Sequence, residues 1–218
     1  MKKAFALVVL IVTPSIVFAQ GTMFVVNNAT SLVQAWASNW DHSLSPAPAG
    51  GARVQFLAAP SGTAFTPLGR VLTTGSVQGF EFHYPTMATW LARNPGWNAY
   101  GTASIAPVAG RFNVGIVTVS PLTSGGNIEY VVIGWTGPSA TLDGALLSGE
   151  AYIGQSALYT SVATGDPTTT PIPGIPTALT ATFAGLTLVP QAYLPEPSTF
   201  AVTGLGAVML LLFRQRGK

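Results

Sequence analysis

Apolar and polar residues alternate over several short stretches of the chain. The clearest case is 77–84, where Phe80, Phe82 and Tyr84 occupy every second position. A period of two predicts a strand with one buried face and one solvent-facing side. The range 128–135 is instead almost continuously apolar, which predicts a central strand that is covered on both faces.

Glycine- and proline-rich turns separate further stretches of the same kind. Additional strands are predicted at 22–27, 53–59, 68–74, 102–108, 112–119, 150–159 and 180–188. A short helix is predicted at 142–148, with Thr141 as N-cap and Gly149 as terminator. Residues 31–40 and 86–93 are each left open between a helical turn and a loop. The pattern indicates an all-β domain, an antiparallel β-sandwich or jelly roll with one short helix.

The amino terminus breaks this pattern. Lys2 and Lys3 precede a run of nine apolar residues, 4–12, and Val17-Phe18-Ala19 has acceptable residues for a cleavage site. These features predict a secretory signal peptide, residues 1–19, cleaved before Gln20. The alternative is an uncleaved anchor, but the run is too short for about 30 Å of hydrocarbon.

The carboxyl terminus has three parts in order. Pro195-Glu196-Pro197-Ser198 is followed by an apolar run, 199–213, and then by a basic tail, 214–218. As a helix the 15 residues of this run extend about 22 Å, less than the roughly 30 Å of a bilayer core. They predict a weakly held transmembrane helix with its basic end inside and the domain 20–194 outside. A permanent single-span anchor is the alternative.

Composition excludes several classes of function. The chain has no cysteine, which rules out disulfides, thiol catalysis and cysteine-based zinc sites. Its pI of 9.1 is due to the ends, because all three lysines lie there. Between 21 and 195 there are four basic residues (Arg53, Arg70, Arg93, Arg111) and six acidic ones (Asp41, Glu81, Glu129, Asp143, Glu150, Asp166). Without a basic patch, no nucleic-acid partner is expected.

The domain lacks an evident catalytic set. His42 and His83 are the only histidines and lie 41 positions apart, so no metal site is predicted. Glu81 and Glu129 are the best candidates for the carboxylate pair of a glycosidase. The simpler interpretation places Glu81 in solvent and Glu129 at the start of a strand. We therefore predict no catalytic residues, no cofactor and no enzymatic activity.

Tryptophans are the best candidates for a binding site, because an exposed indole can stack on a sugar ring. Trp135 is expected in the core, since it ends a buried strand. Trp90 and Trp97 flank a loop and are the likelier exposed pair for glycan stacking. The alternative for both residues is packing of that loop onto the sandwich.

The C-terminal segment resembles the PEP-CTERM sorting signal. The resemblance is carried by Pro195-Glu196-Pro197-Ser198-Thr199, Gly204-Leu205-Gly206 and Arg214-Gln215-Arg216, and it covers the last 24 residues. It implies export by the general secretory route, transient retention in the inner membrane and processing near 195–197 by an exosortase. It also implies delivery to the cell envelope, the outer surface or an exopolysaccharide matrix.

A second resemblance concerns the domain itself. Small all-β PEP-CTERM proteins are similar at three places, which are Gln20-Gly21-Thr22, the strand and turn 54–62, and Phe183-Ala184-Gly185-Leu186. This likeness implies an all-β domain and no particular activity. The resulting expectation is an exported, non-enzymatic structural or interaction protein, with a carbohydrate-binding module as the alternative and a glycan-acting enzyme as a weaker third possibility.

Overall fold

A computed structural model describes residues 21–38, 40–74, 78–122, 125–166 and 175–192. The predicted signal peptide, 1–19, and the predicted sorting segment, 195–218, lie outside these ranges. The transmembrane helix expected at 199–213 likewise lies outside the described residues.

The described residues form thirteen strands, two short α-helices and one 3-10 turn. The strands are β1 (Gly21–Val26), β2 (Val33–Trp36), β3 (Leu44–Pro46), β4 (Ala52–Pro60), β5 (Gly69–Leu72), β6 (Gly79–Phe82), β7 (Asn98–Ser104), β8 (Asn113–Val119), β9 (Asn127–Thr136), β10 (Tyr152–Gln155), β11 (Tyr159–Ala163), β12 (Thr177–Ala178) and β13 (Leu186–Pro190). The helices are α1 (Met87–Arg93) and α2 (Leu142–Ser148), and the 3-10 turn is Leu179–Ala181. The all-β prediction is confirmed. The sequence predicted one short helix in the domain, α2, whereas the described residues contain two.

The largest sheet has the order β3-β2-β13-β10-β9-β4-β7, with β11 also paired to β9. β9 pairs with β4 over nearly its whole length, with Phe56 opposite Val132. Alternate residues of β9 enter two separate cores, Tyr130 and Val132 on one side, Val131 and Ile133 on the other. The prediction of a central strand buried on both faces is confirmed.

A three-stranded sheet, β12-β1-β8, covers one face of the large sheet. Met23 of β1 and Val119 of β8 are fully buried, in one core with Val54 and Phe56 of β4. Two apolar sheet faces meeting in this way give the domain a β-sandwich-like character.

The opposite face is covered by α1, α2 and the two-stranded β5-β6 ladder. Trp90 of α1, Leu142 of α2 and Phe80 of β6 pack in one core with Leu57 and Ile133. The large sheet is consequently a middle layer, which is why β4 and β9 lack the simple alternation of a half-exposed strand.

Helix α2 forms where the sequence predicts it. The Thr141 hydroxyl accepts a hydrogen bond from the Gly144 N–H at 3.2 Å, and Gly149 ends the helix with φ of 71°. Only a residue without Cβ takes that left-handed conformation freely. Both predicted caps are confirmed.

Several local predictions differ from the structure. The strand expected at 102–108 is Asn98–Ser104, and the strand expected at 150–159 is replaced by two, Tyr152–Gln155 and Tyr159–Ala163. The range 31–40 contains a strand, β2, rather than a helical turn or loop. This strand forms because β13 pairs with it in parallel, with Val33 opposite Leu186, a residue 153 positions later in the chain. The last strand, expected at 180–188, is Leu186–Pro190, and the 3-10 turn occupies the earlier part.

One buried polar side chain holds the end of β1. Asn27 is 1% exposed. Its Nδ2 donates to the Ser31 carbonyl at 2.7 Å and to the Gly110 carbonyl at 2.9 Å, and its Oδ1 accepts from the Phe112 N–H at 2.7 Å. The amide thereby joins the turn after β1 to the corner before β8.

Candidate functional site

The predicted stacking residues Trp90 and Trp97 are buried, so their expected exposure is wrong. Trp90 is 0% and Trp97 is 3% exposed, and their rings meet edge to face with centroids 5.9 Å apart. Phe65 packs on both rings. The alternative interpretation, a loop packed onto the sandwich, describes this arrangement.

Hydrogen bonds explain why these indoles face inward. Trp90 Nε1 donates to the Thr66 carbonyl at 2.9 Å, and Trp97 Nε1 donates to the Ala64 carbonyl at 3.0 Å. A buried indole N–H needs such an acceptor. The segment 61–68 supplies both acceptors and covers the pair, which leaves neither ring free to stack on a sugar.

The two candidate catalytic carboxylates have different partners. Glu81 forms an ion pair with Arg70 across the β5-β6 ladder. Glu129 is 7% exposed, and its Oε1 accepts the Gly62 N–H at 2.9 Å. Each carboxylate thus supports a turn or a hairpin, and nothing described brings them together across one cleft.

Neither histidine is part of a metal-ligand group. His42 stacks on Trp36 with ring centroids 3.8 Å apart, and its Nε2 lies 2.7 Å from Gln78 Oε1. His83 is exposed, on the solvent side of its segment as expected. Within the described ranges there is no group of three or more histidine, aspartate or glutamate side chains able to hold a metal ion.

The described surface includes two clefts large enough to hold a small molecule or several waters. A cleft of about 320 Å³ is lined mainly by small and polar residues, among them Thr30, Gln34 and Thr187. A second, of about 230 Å³, lies beside Trp135 and Asp143. Asp143 Oδ1 already accepts the Met87 N–H at 2.7 Å, so its carboxylate completes the start of α1. Among the described lining residues, the first cleft has no titratable side chain and the second has Asp143 alone.

The exposed tryptophan is Trp40, at the tip of the turn between β2 and β3. It is 71% exposed, whereas the other four tryptophans are all buried. Ser38 Oγ accepts hydrogen bonds from the N–H groups of Trp40 and Asp41. The sequence did not indicate this exposed tryptophan, because the strand β2 before its turn was not predicted.

Two side chains of the domain, Asp41 in this turn and Tyr130 in the core, have shifted pKa values. Hydrogen bonds from the backbone N–H and the hydroxyl of Ser43 hold the pKa of Asp41 below its ordinary value. The carboxylate therefore stays charged into acid solution. In the core, burial raises the pKa of Tyr130, whose hydroxyl lies 2.6 Å from Thr182 Oγ1.

The last described residues leave the large sheet beside this turn. β13 runs parallel to β2, and Leu188 lies opposite Ala35, so Gln191 and the residues after Trp36 emerge at the same end. The Ala192 N–H donates to the Phe80 carbonyl at 2.9 Å. Gln191 Nε2 donates to the Ala145 carbonyl at 3.0 Å. The chain therefore exits between β2, β6 and α2.

Large apolar side chains are exposed on the elements next to this exit. Leu44 lies opposite Trp36 in the β2-β3 ladder, and Val71 lies opposite Phe80. Leu147 follows Ala145 by two positions on α2 and therefore lies on another side of that helix. The motif Pro195-Glu196-Pro197 lies beyond the exit, outside the described residues.

No family model, no curated protein and no solved structure matches this chain. No helix within the described ranges is long and apolar enough to cross a membrane.

Proposed function

We propose that this chain is an exported, non-enzymatic protein of the cell surface or of an exopolysaccharide matrix. Its signal peptide directs secretion, and its C-terminal segment holds it in the inner membrane until an exosortase-type enzyme releases it. The observation that carries the proposal is the order of three elements at the C-terminus: Pro195-Glu196-Pro197, the apolar run 199–213 and the basic tail.

The order of the segments is consistent with this division of labour. The thirteen described strands lie between Gly21 and Pro190. In the sequence, the predicted signal peptide, 1–19, precedes this range, and the motif Pro195-Glu196-Pro197 follows it.

The chemistry of the domain supports a structural or interaction role. Among the six carboxylates of the domain, Glu81, Glu129 and Asp143 are each bonded to a local partner. These three carboxylates stabilise a hairpin, a turn and the start of α1. The proposal includes no cofactor and no nucleic-acid partner.

The test is mass spectrometry of the mature C-terminus in two strains, with and without the sorting enzyme. With the enzyme, the chain is expected to end within or near 195–197 and to leave the inner membrane. Without it, the chain is expected to keep 199–218 and stay membrane-bound. Identical C-termini in both strains, or full-length protein in the cytoplasm, would contradict the proposal.

A matched pair of variants sharpens this test. Glu196→Ala alters the motif and is expected to slow release, because the processing enzyme must read this short segment. Glu150→Ala removes an exposed carboxylate from the domain and is expected to leave release unchanged. Equal release rates for the two variants would count against processing at the motif.

Carbohydrate binding remains a second candidate because one aromatic side chain is well exposed. Since Trp90 and Trp97 are buried, the residue that would stack on a sugar is Trp40. Binding of the exported protein to a glycan array, lost in Trp40→Ala and kept in Trp97→Phe, would favour this function. A protein that binds no glycan would exclude it.

A further inference from the structure

The cleft beside Trp135 and Asp143 brings polar side chains from three elements into one space. Its volume is about 230 Å³. Gln55 of β4, Thr102 of β7 and Asp143 of α2 all line it. A concave space with a few convergent polar groups beside apolar side chains is the usual form of a small-molecule site.

The register of the large sheet places Gln55 and Thr102 side by side. They lie directly opposite each other in the β4-β7 ladder, where Cβ atoms are about 5 Å apart. Gln55 also lies opposite Ile133, which packs in one core with Leu142 of α2. The Gln55 amide and the Thr102 hydroxyl have no hydrogen-bond partner among the described residues, so both are available to a ligand.

One oxygen of the Asp143 carboxylate is also available. Oδ1 accepts the Met87 N–H at 2.7 Å, which fixes the carboxylate between α2 and the start of α1. A carboxylate has two accepting oxygens, and Oδ2 has no partner in the described part of the chain. The cleft therefore presents a positioned acceptor to a bound molecule.

Apolar residues and a hydrogen-bonded turn complete the walls. Trp135 Nε1 donates to the Ser139 carbonyl at 2.9 Å, which holds the turn between β9 and α2 against the ring. Trp135 is 1% exposed, so its ring is an apolar wall and not an open stacking surface. Met87 and Leu142 add further apolar surface. Walls held in this way are preformed, which reduces the ordering cost of binding.

The hydrogen-bonding capacity of the available groups selects the ligand. Asp143 Oδ2 only accepts, whereas the Gln55 amide and the Thr102 hydroxyl both donate and accept. A ligand that satisfies all three must itself donate and accept, as a hydroxyl group does. An ammonium group only donates. A phosphate or carboxylate only accepts, and it would also be repelled by Asp143.

We infer that this cleft binds one neutral sugar ring, with ring hydroxyls on Gln55, Thr102 and Asp143 and ring C–H groups against Trp135 and Met87. The volume lies somewhat below the roughly 300–1,000 Å³ of drug-sized ligand sites, which suits a single ring better than a longer glycan. The inference rests on the second candidate function, carbohydrate binding, and assigns it a site that does not involve Trp40.

The experiment measures saturation transfer by NMR from the protein to the methyl glycosides of glucose, galactose and mannose. It uses the full-length chain in a detergent without sugar groups. We expect transfer to the ring protons of at least one glycoside, and titration then gives its dissociation constant. Glucuronate and ethanolamine serve as charged probes, and transfer to them should be weaker.

Three substitutions test the polar groups. Gln55→Met and Thr102→Val approximately keep the side-chain shape and remove one hydrogen bond each, so each should raise the dissociation constant about three- to tenfold. Asp143→Asn keeps an oxygen for the Met87 N–H and removes the charge, so it should raise the constant about tenfold. All three variants should keep the circular dichroism spectrum of the parent chain.

The larger cleft supplies a matched control. Gln34 lies opposite Thr187 between β2 and β13, and both residues line that cleft. Gln34→Met and Thr187→Val are therefore the same two substitutions in the same kind of cross-strand pair. They should leave the dissociation constant of the glycoside unchanged.

The outcomes separate the inference from the functions proposed above. No transfer to any of the three glycosides overturns it, and leaves export and sorting unaffected. Binding that is lost in Trp40→Ala and kept in Thr102→Val also overturns it, while carbohydrate binding stands. Loss in the Gln34 and Thr187 variants instead would place the site in the larger cleft, and stronger transfer to a charged probe would exclude a neutral sugar; either result overturns the inference.

Discussion

Replacing Asn27 by alanine should lower the free energy of unfolding by more than the few atoms removed from this side chain suggest. The substitution removes three hydrogen bonds, to the Ser31 and Gly110 carbonyls and from the Phe112 N–H. The Gly110 carbonyl keeps the Val33 N–H at 2.9 Å, so two groups lose the partner described for them. Ser31 is 2% and Phe112 is 1% exposed, which keeps water away from both.

The magnitude follows from these two groups. A buried polar group without a partner costs about 1–3 kcal/mol, so the expected loss is about 4 kcal/mol for the pair. For a chain of this size, each kcal/mol lowers the melting temperature by about 2–4 °C. Thermal unfolding of Asn27→Ala should therefore occur about 8–16 °C lower, as followed by circular dichroism.

Asn98→Ala is the matched control, since the same side chain is removed from an exposed position. Within the described residues, the Asn98 side chain makes a single, long hydrogen bond, from its Nδ2 to the Gly96 carbonyl at 3.4 Å. Its replacement should change the free energy of unfolding by less than about 0.5 kcal/mol. If the two variants melted within about 2 °C of each other, the assignment of Asn27 as a buried link would be refuted.

Two further predictions concern aromatic residues. Trp90→Ala should lower the free energy of unfolding, measured by urea titration, by about 3–5 kcal/mol. Trp40→Ala should change it by less than about 0.5 kcal/mol. Equal effects would contradict the finding that Trp90 is buried and Trp40 is exposed. Burial raises the pKa of Tyr130 above its ordinary value of 10.0, so folding favours its neutral form. Its stabilising effect is complete below pH 10.0 and is lost as the pH rises towards the folded pKa. Spectrophotometric titration should show Tyr130 ionising after the exposed tyrosines, and a Tyr130→Phe variant lacking this late step would identify it.

Local chemistry made some elements predictable. Thr141 and Gly149 define α2 because a hydroxyl N-cap and a left-handed C-cap act within a few residues. The continuous apolar run of β9 likewise indicates that this strand lies between two cores. Such signals are contained in the segment itself, so a single sequence is enough to identify them.

Other elements depend on partners far along the chain. β2 has only four residues and is a strand because β13 lies beside it. Trp90 and Trp97 looked exposed since they flank a loop, yet the carbonyls that hold them belong to Ala64 and Thr66. Trp40 became a candidate only once β2 placed its turn beside the exit of the chain. These relations arise from tertiary pairing, which periodicity does not encode.

The position of β13 has a consequence for the timing of folding. β13 is the last of the described strands along the chain, yet it lies in the interior of the large sheet, between β2 and β10. Until β13 is available, both neighbours keep an open edge, and long-range pairing of this kind forms slowly. The large sheet can therefore close only after nearly all of the described domain has been made.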